Sequence, residues 1–266
     1  MARTPYPKKR FGQHFLHDPA ALGRIVAAIG PETGDCIVEI GPGRGALTRP
    51  LLARLDRLHV IEIDRDLEAG LRALEPDPRR LVIHIGDALA FDFAALGSQR
   101  LRIVGNLPYN ISTPLLFHLL RFSTRIADMH FTLQREIVAR MAAPPGSRTY
   151  GRLSVMLQAE CTIERLFDIG RGAFQPAPAV ESAFVRLVPG RTPPLELEDP
   201  GCFERVVRSA FSRRRKTLRN ALKGIAGADD FAAAGIDPGA RPETIAPEGF
   251  AALANRLSRR PEEPAI

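Results

Sequence analysis

The chain has 266 residues, 45% of them hydrophobic, and carries 37 Lys and Arg against 30 Asp and Glu, a formal net charge of +7. That length holds one domain, or a domain and a smaller appendage, around a sizeable core, and the basic balance favours a polyanionic partner. Three cysteines far apart (Cys36, Cys161, Cys202) and six scattered histidines give no disulfide framework or metal-ligand spacing, and no apolar run reaches membrane length, so we expect a cytoplasmic protein without metal or membrane anchor.

Met1 to Arg10 reads as a basic arm containing Lys8-Lys9-Arg10, followed by Phe11-Gly12-Gln13-His14-Phe15-Leu16, too short for a helix. Asp18-Pro19 supplies an N-cap and a proline at the first helical position, predicting a helix over 20–29. Strands are predicted at 36–40, 58–62 and 81–85, with a fourth from Leu101, and helices at 46–55, 64–74 and 113–120. A strand over 129–133 and a helix over 136–141 continue the alternation, the pattern of a doubly wound α/β sheet. Ala143-Pro144-Pro145-Gly146-Ser147 interrupts it before a helix at 153–159. Two late strands, 161–169 and 182–188, suit an antiparallel edge. Phe174-Gln175-Pro176-Ala177-Pro178 between them looks too proline-rich to pair. Past the Pro189–Pro194 break only helical patterns remain, at 202–211, 217–225 and 247–257. The expected organisation is an arm (1–17), an α/β domain (18–189) and a small all-helical domain (195–266).

The chemistry gathers where strands end, the edge at which open α/β sheets bind ligands. Gly41-Pro42-Gly43-Arg44-Gly45 follows the first strand and lets the backbone approach a ligand closely. Glu62 closes the second strand, where a carboxylate can accept both ribose hydroxyls. Asp87 closes the third, where it can accept from an adenine amino group, with Ile63 and Ala88 on either side of the ring. This set fits the adenosine of S-adenosylmethionine, which has no pyrophosphate to cradle. The fourth strand ends in Asn106-Leu107-Pro108-Tyr109. That tetrapeptide offers an amide acceptor, a proline that holds Leu107 extended so carbonyls point outward, and an aromatic face for a base. It resembles the Asn-Leu-Pro-Tyr variant of the amino-group methyltransferase motif.

Six stretches in order carry a wider resemblance: Phe11 to Leu16, Glu39 to Thr48, Glu62-Ile63-Asp64, Asn106 to Ser112, Tyr150 to Ser154, and Phe211-Ser212-Arg213-Arg214-Arg215-Lys216-Thr217-Leu218. Together they resemble the ribosomal RNA adenine N6,N6-dimethyltransferase family, the small-subunit type in particular, over nearly the whole chain. The resemblance implies a Rossmann-like class I S-adenosylmethionine-dependent methyltransferase sheet with a small C-terminal helical domain. It places His14, Leu16, Gly41, Glu62, Asp87 and Asn106 on cofactor-contact positions, with Gly43, Ile63 and Ala88 beside them. The family commonly has asparagine where this chain has His14.

An exocyclic adenine amine is a poor nucleophile because its lone pair is delocalised into the ring. Acceptors on its two N–H bonds free that pair for in-line attack on a sulfonium methyl. Asn106 and a carbonyl at Leu107 or Pro108 are assigned that task, Tyr109 one stacking face, and Phe174 the other. The target amine is reachable only in unpaired or extruded RNA. Lys8, Lys9 and Arg10, and Arg213, Arg214, Arg215 and Lys216, are the expected phosphate contacts. The expected substrate is small-subunit ribosomal RNA within a pre-assembled subunit, and the expected state is a monomer. Three alternatives stay open at this stage: a large-subunit methyltransferase of the resistance type, a non-catalytic assembly factor on the same scaffold, and an enzyme acting on DNA. A DNA adenine methyltransferase shares the chemistry. An NAD-dependent oxidoreductase is disfavoured by Gly-x-Gly-x-Gly and the missing hydride-transfer acid/base pair.

Overall fold

The computed structural model describes residue 8 and residues 12–97, 100–190, 194–213 and 215–260. The chain divides into two compact units, residues 1–138 with 163–189, and residues 139–162 with 190–266.

The first unit opens with a two-residue strand, β1 (Phe15–Leu16), and helix α1 (Pro19–Ile29). Asp18 caps α1 by accepting from the Ala21 N–H, and Gly30 closes it in the left-handed region at φ 56°. The alternation continues as β2 (Cys36–Ile40), α2 (Thr48–Leu52), β3 (Leu58–Glu62), α3 (Glu68–Leu74), β4 (Leu81–Ile85), β5 (Leu101–Asn106), α4 (Ser112–Leu120), β6 (Ile126–Gln134) and α5 (Arg135–Met141). Helix α2 is half the length the sequence suggests. Gly43 and Gly45 sit at φ +57° and +80°, so the turn runs on to Leu47 before a helix begins.

After α6 (Arg152–Glu160) come β7 (Cys161–Ile169), β8 (Phe174–Gln175) and β9 (Ser182–Pro189). Seven strands form one sheet in the order β4-β3-β2-β5-β6-β9-β7. The pairs among β4, β3, β2, β5 and β6 are parallel, and β9 runs antiparallel to β6. Strand order reverses between β2 and β5, which makes the gap past their carboxyl ends the topological switch point. β2 and β5 approach closely there: a Cβ on Gly105 would lie 2.5 Å from the Ile40 carbonyl oxygen.

The proline-rich stretch departs from expectation. Phe174 and Gln175 pair antiparallel with Leu16 and Phe15. Both precede the first proline and keep their N–H donors, so the rule against proline in ladders does not reach them. Phe15 and Leu16 are therefore a strand of this unit and not part of a loose arm.

One polar cluster stitches the other end of the sheet. Arg102 on β5 donates to Asp128 (3.1 Å) and Asp35 (2.6 Å) and reaches the Ile29 and Gly30 carbonyls that close α1. Orphan carbonyls at a helix end thus receive a charged donor. Burial pushes the Asp128 carboxyl up, but the facing His130 ring and the Arg102 guanidinium hold it down at about 2. His130 Nδ1 stands 3.6 Å away, beyond hydrogen-bond reach, so Arg102 is the stronger partner.

The second unit is helical: α6, α7 (Pro200–Phe211), α8 (Leu218–Ala221), α9 (Ala228–Ala233) and α10 (Pro247–Ser258). Its core joins Tyr150, Val155 and Ala159 to Phe203, Val207, Phe231 and Phe250. Residues 139–162 therefore belong with this unit, whereas the sequence boundary at 189 assigned them to the α/β domain. Their apolar side chains find their partners after residue 200, which local pattern does not encode. Asp230, fully buried, pairs with Arg260 and Arg256 and accepts from the Gly227 N–H at 2.7 Å, tying α9 to the end of α10. Among the described residues, no helix is long and apolar enough to cross a membrane and no group of three or more His, Cys, Asp or Glu is placed to hold a metal.

Candidate active site

A single pocket lies over the switch point, lined by the turn after β2, the ends of β3, β4 and β5, and the segment leading into β1. It brings together His14, Leu16, Gly41, Gly43, Glu62, Ile63, Asp87, Ala88 and the whole of Asn106-Leu107-Pro108-Tyr109. Every sequence-predicted cofactor position lines it, as does the Asn106–Tyr109 tetrapeptide.

The glycine turn is shaped by two constraints. Gly41 at φ +69° and Gly43 at +57° adopt a conformation that side chains disfavour. A Cβ on Gly43 would also strike the Phe15 ring at 2.9 Å, and Arg44 lies over that same ring at 4.5 Å. The glycine turn and β1 are thus packed together as one wall. Glu62 is 4% exposed and accepts from Gly43 N (3.1 Å) and Asp64 N (2.9 Å). Burial pushes its carboxyl up, while these backbone donors pull it back. Each carboxylate oxygen has a second lone pair, so the group can hold the turn and still accept ligand hydroxyls. Ile63 is 45% exposed beside it, an uncovered apolar side chain suited to a flat ring. Asp87 uses Oδ1 on the Leu89 N–H at 2.9 Å, leaving the other oxygen for a donor.

Asn106 has an assigned orientation. Its Nδ2 donates to the His14 carbonyl at 2.7 Å, and a carbonyl can only accept. The amide oxygen is therefore the atom left to accept from a substrate. Tyr109 stacks against His14, with centroids 5.5 Å apart and planes at 27°, and its hydroxyl meets Ser182 Oγ at 2.7 Å. His14 Nδ1 donates to the Pro176 carbonyl at 2.8 Å, which fixes the tautomer. Burial pushes the Tyr109 phenol up, so the ring stays neutral around neutral pH.

Two expected roles need correction. Phe174 is 1% exposed, sits opposite Leu16 in the core and does not line the pocket. In this structure it supports β1 instead of offering a face to a base. Lys8, expected on phosphate, is bonded to Asp64 at 2.6 Å and Asp66 at 2.5 Å. Gln13 also donates to Asp64 at 3.2 Å, so Lys8 clamps the amino-terminal segment to the end of β3. Lys9, Arg10 and Arg214 lie outside the described residues. Arg213, Arg215 and Lys216 are exposed and, among the described residues, form no ion pair.

Three residues around this site were given no role by the sequence reading: Gln13 and Glu39, which lie in motif stretches, and Ser182. Glu39 carried a legible signal, a lone acid inside the apolar run Cys36–Ile40. It is 2% exposed, accepts from Thr48 Oγ1 at 2.7 Å and lines the pocket. Burial, and then the neighbouring Glu62 charge against the Thr48 bond, pushes it up to about 8. The folded protein therefore keeps Glu39 protonated where the unfolded chain ionises it, so its contribution favours folding at low pH and declines from about 4.5 to about 8. Glu39→Gln should flatten that decline, by roughly 1.4 kcal/mol per pH unit at its steepest, in denaturant titrations run across the window. An unchanged pH slope in the variant would show that Glu39 is ionised in the native state.

Fold and pocket together define a Rossmann-like class I methyltransferase. Comparisons with known proteins narrow the class. A family model described as ribosomal RNA adenine dimethylase matches residues 6–259, and the chain belongs to that family. It is 57% identical over 251 residues to a protein of Laribacter hongkongensis, covering 94% of this chain and 95% of the other. It is 56% identical over 254 residues to one of Thiobacillus denitrificans, covering 96% and 99%. Both are named ribosomal RNA small subunit methyltransferase A. Among solved structures, a dimethyladenosine transferase from Plasmodium falciparum superposes with TM-score 0.78 at 25% identity, covering 90% of this chain and 96% of that one. The 23S rRNA methyltransferase ErmE gives 0.69 at 25% identity, covering 92% and 100%.

Proposed function

We propose that this chain methylates the N6 amino group of adenines in small-subunit ribosomal RNA with S-adenosylmethionine, carrying two neighbouring adenines to the dimethyl state. The observation that carries the reading is the Asn106 amide, held by the His14 carbonyl with its oxygen free, at the head of a Pro-Tyr turn over the switch point. The residues fit the cofactor. Carboxylates end adjacent strands for ribose and adenine, Ile63 is bare for the ring, and Arg44, the one Lys or Arg among the described lining residues, lies over Phe15. That donor set suits an adenosine without phosphates.

Glu62 and Asp87 hold the nucleoside, and the glycine turn and Leu16 bound its remaining length. When bound, the cofactor would supply a sulfonium methyl: the N–C bond would form as the S–C bond breaks, the electron pair of that bond would stay on sulfur, and the extra proton on nitrogen would pass to solvent water. The chain supplies orientation. Asn106 Oδ1 and the Leu107 or Pro108 carbonyl accept the two amine hydrogens, turning the nitrogen lone pair out of the ring. Tyr109 holds the base plane. Rate comes from positioning and fixed dipoles, with no covalent enzyme intermediate.

The helical unit is the proposed RNA-holding part. Arg213, Arg215, Lys216, Arg219 and Lys223 are exposed without ion-pair partners among the described residues, so their charge is available to phosphates. A pre-assembled small subunit as substrate, a cytoplasmic location and a monomer complete the proposal. The test is methyl transfer from labelled S-adenosylmethionine to undermethylated small subunits, followed by nucleoside analysis. Dimethyladenosine in small-subunit RNA is expected. Binding without transfer would move the chain to the assembly-factor class.

A further inference from the structure

Ser182 is the first residue of β9, opposite Gln134 at the end of β6. Because β9 runs against the parallel strands, its first residue arrives at the edge where they finish. There its fully buried hydroxyl lies 2.7 Å from the Tyr109 hydroxyl. A buried hydroxyl requires a partner, and the phenol is the one it has among the described residues. Tyr109 is consequently fixed at three points. Its tip is held by Ser182, one ring face by His14, and its carbonyl by Ser112 Oγ at 3.1 Å.

We propose that Ser182 is a positioning residue whose hydroxyl sets the angle at which the Tyr109 ring meets the target base, and that the second methyl transfer depends on it more than the first. The inference rests on the adenine methyltransferase reading of the site. Before the first transfer the amine offers two N–H bonds, one to Asn106 Oδ1 and one to the backbone carbonyl. The first transfer replaces one N–H by N–CH3, the displaced proton passing to solvent water and the S–C electron pair staying on sulfur. One acceptor then has no donor, and the orientation of the base rests more heavily on the stacking face. A ring anchored at its tip presents one plane, whereas an untethered ring presents several.

The test is single-turnover methylation of undermethylated small subunits, resolved into monomethyl- and dimethyladenosine, for wild type, Ser182→Ala, Ser182→Thr, Tyr109→Phe and the Ala/Phe double variant. Ser182→Ala should slow the second step by about tenfold and the first by about threefold or less, the scale of one ordinary hydrogen bond. Monomethyladenosine should accumulate while KM for the subunit stays unchanged. Tyr109→Phe should reproduce this, Ser182→Thr should restore the wild-type ratio, and the double variant should be no worse than either single. An unchanged product ratio in Ser182→Ala, or losses that multiply in the double variant, would overturn the proposal. So would a raised KM with both steps slowed equally and no rescue by threonine, which marks a folding role. No adenine methylation by the wild type would instead remove the underlying reading.

Discussion

Asn106→Ala should lower adenine methylation by about 10²–10³-fold, the scale seen when a positioned transition-state hydrogen-bonding group is removed. The expected loss is in kcat, because the amide acts on an amine whose lone pair becomes available only as the reaction proceeds. The residue also has a second bond to lose. Its Nδ2 holds the His14 carbonyl at 2.7 Å, and His14 in turn covers one face of Tyr109. Asn106→Asp separates the two contributions: it keeps an acceptor for the amine but turns the donor toward His14 into a second acceptor, leaving two oxygens in opposition. Binding of cofactor by isothermal titration and of subunits by filtration gives the control. Subunit affinity should change by about threefold or less, and cofactor affinity should fall far less than turnover, since Glu62 and Asp87 are untouched and Asn106 is one cofactor-contact position among several. A loss of cofactor affinity matching the loss of turnover would mean that Asn106 acts through cofactor binding alone.

The largest stability effect is expected at Arg102. Arg102→Leu removes the nearest cation from Asp128 and Asp35, whose side chains are 10% and 24% exposed, leaves Asp128 with Arg186 at 3.9 Å and His130 at 3.6 Å, and releases the two carbonyls at the end of α1. Removing one partner of a largely buried ion pair costs about 3–5 kcal/mol when the remaining charge is left uncompensated, and the more distant Arg186 places the expected loss toward the lower end of that range. Urea unfolding at neutral pH is the measurement. The pH dependence gives a second handle. Asp128 titrates in the folded protein at about 2, below its unfolded value near 3.8. The stabilisation it brings is present above the unfolded value and disappears as pH falls through about 2. The deficit of the variant should therefore be full at pH 7 and shrink in acid. A deficit independent of pH would mean that lost packing, and not charge, is what Arg102 contributes.

Much of this was readable in the chain. β2, β3, β4 and β7 fall where apolar β-branched runs put them, and α1 starts at Asp18-Pro19 because its cap is written locally. The residues closing successive strands mark the pocket because a doubly wound topology brings those ends to one edge. What sequence left hidden is set by long-range partners. Helix α9 is six residues whose support comes from Phe231 in the helical core and from Asp230 against Arg260. The predicted helix over 217–225 shrinks to Leu218–Ala221. Ser182 and Gln13 look like ordinary polar residues until Tyr109 and Asp64 are found beside them. Lys8 and Phe174 mislead in the opposite direction, since a charge or an aromatic ring near a functional motif invites a functional role. One is neutralised by Asp64 and the other packed under β1.

The amino-terminal wall of the pocket is paired by only a two-residue ladder and is otherwise held by side-chain contacts: Lys8 and Gln13 on Asp64, His14 on Tyr109 and the Pro176 carbonyl, Arg44 over Phe15, and the Asn106 amide on the His14 carbonyl. Ladders this short open at free energies well below that of global unfolding. Dimethylating one adenine consumes two cofactor molecules, and dimethylating two adenines consumes four, so spent cofactor has to leave a pocket one side of which is this wall. Repeated turnover therefore places a demand on this edge of the fold that a single methyl transfer would not.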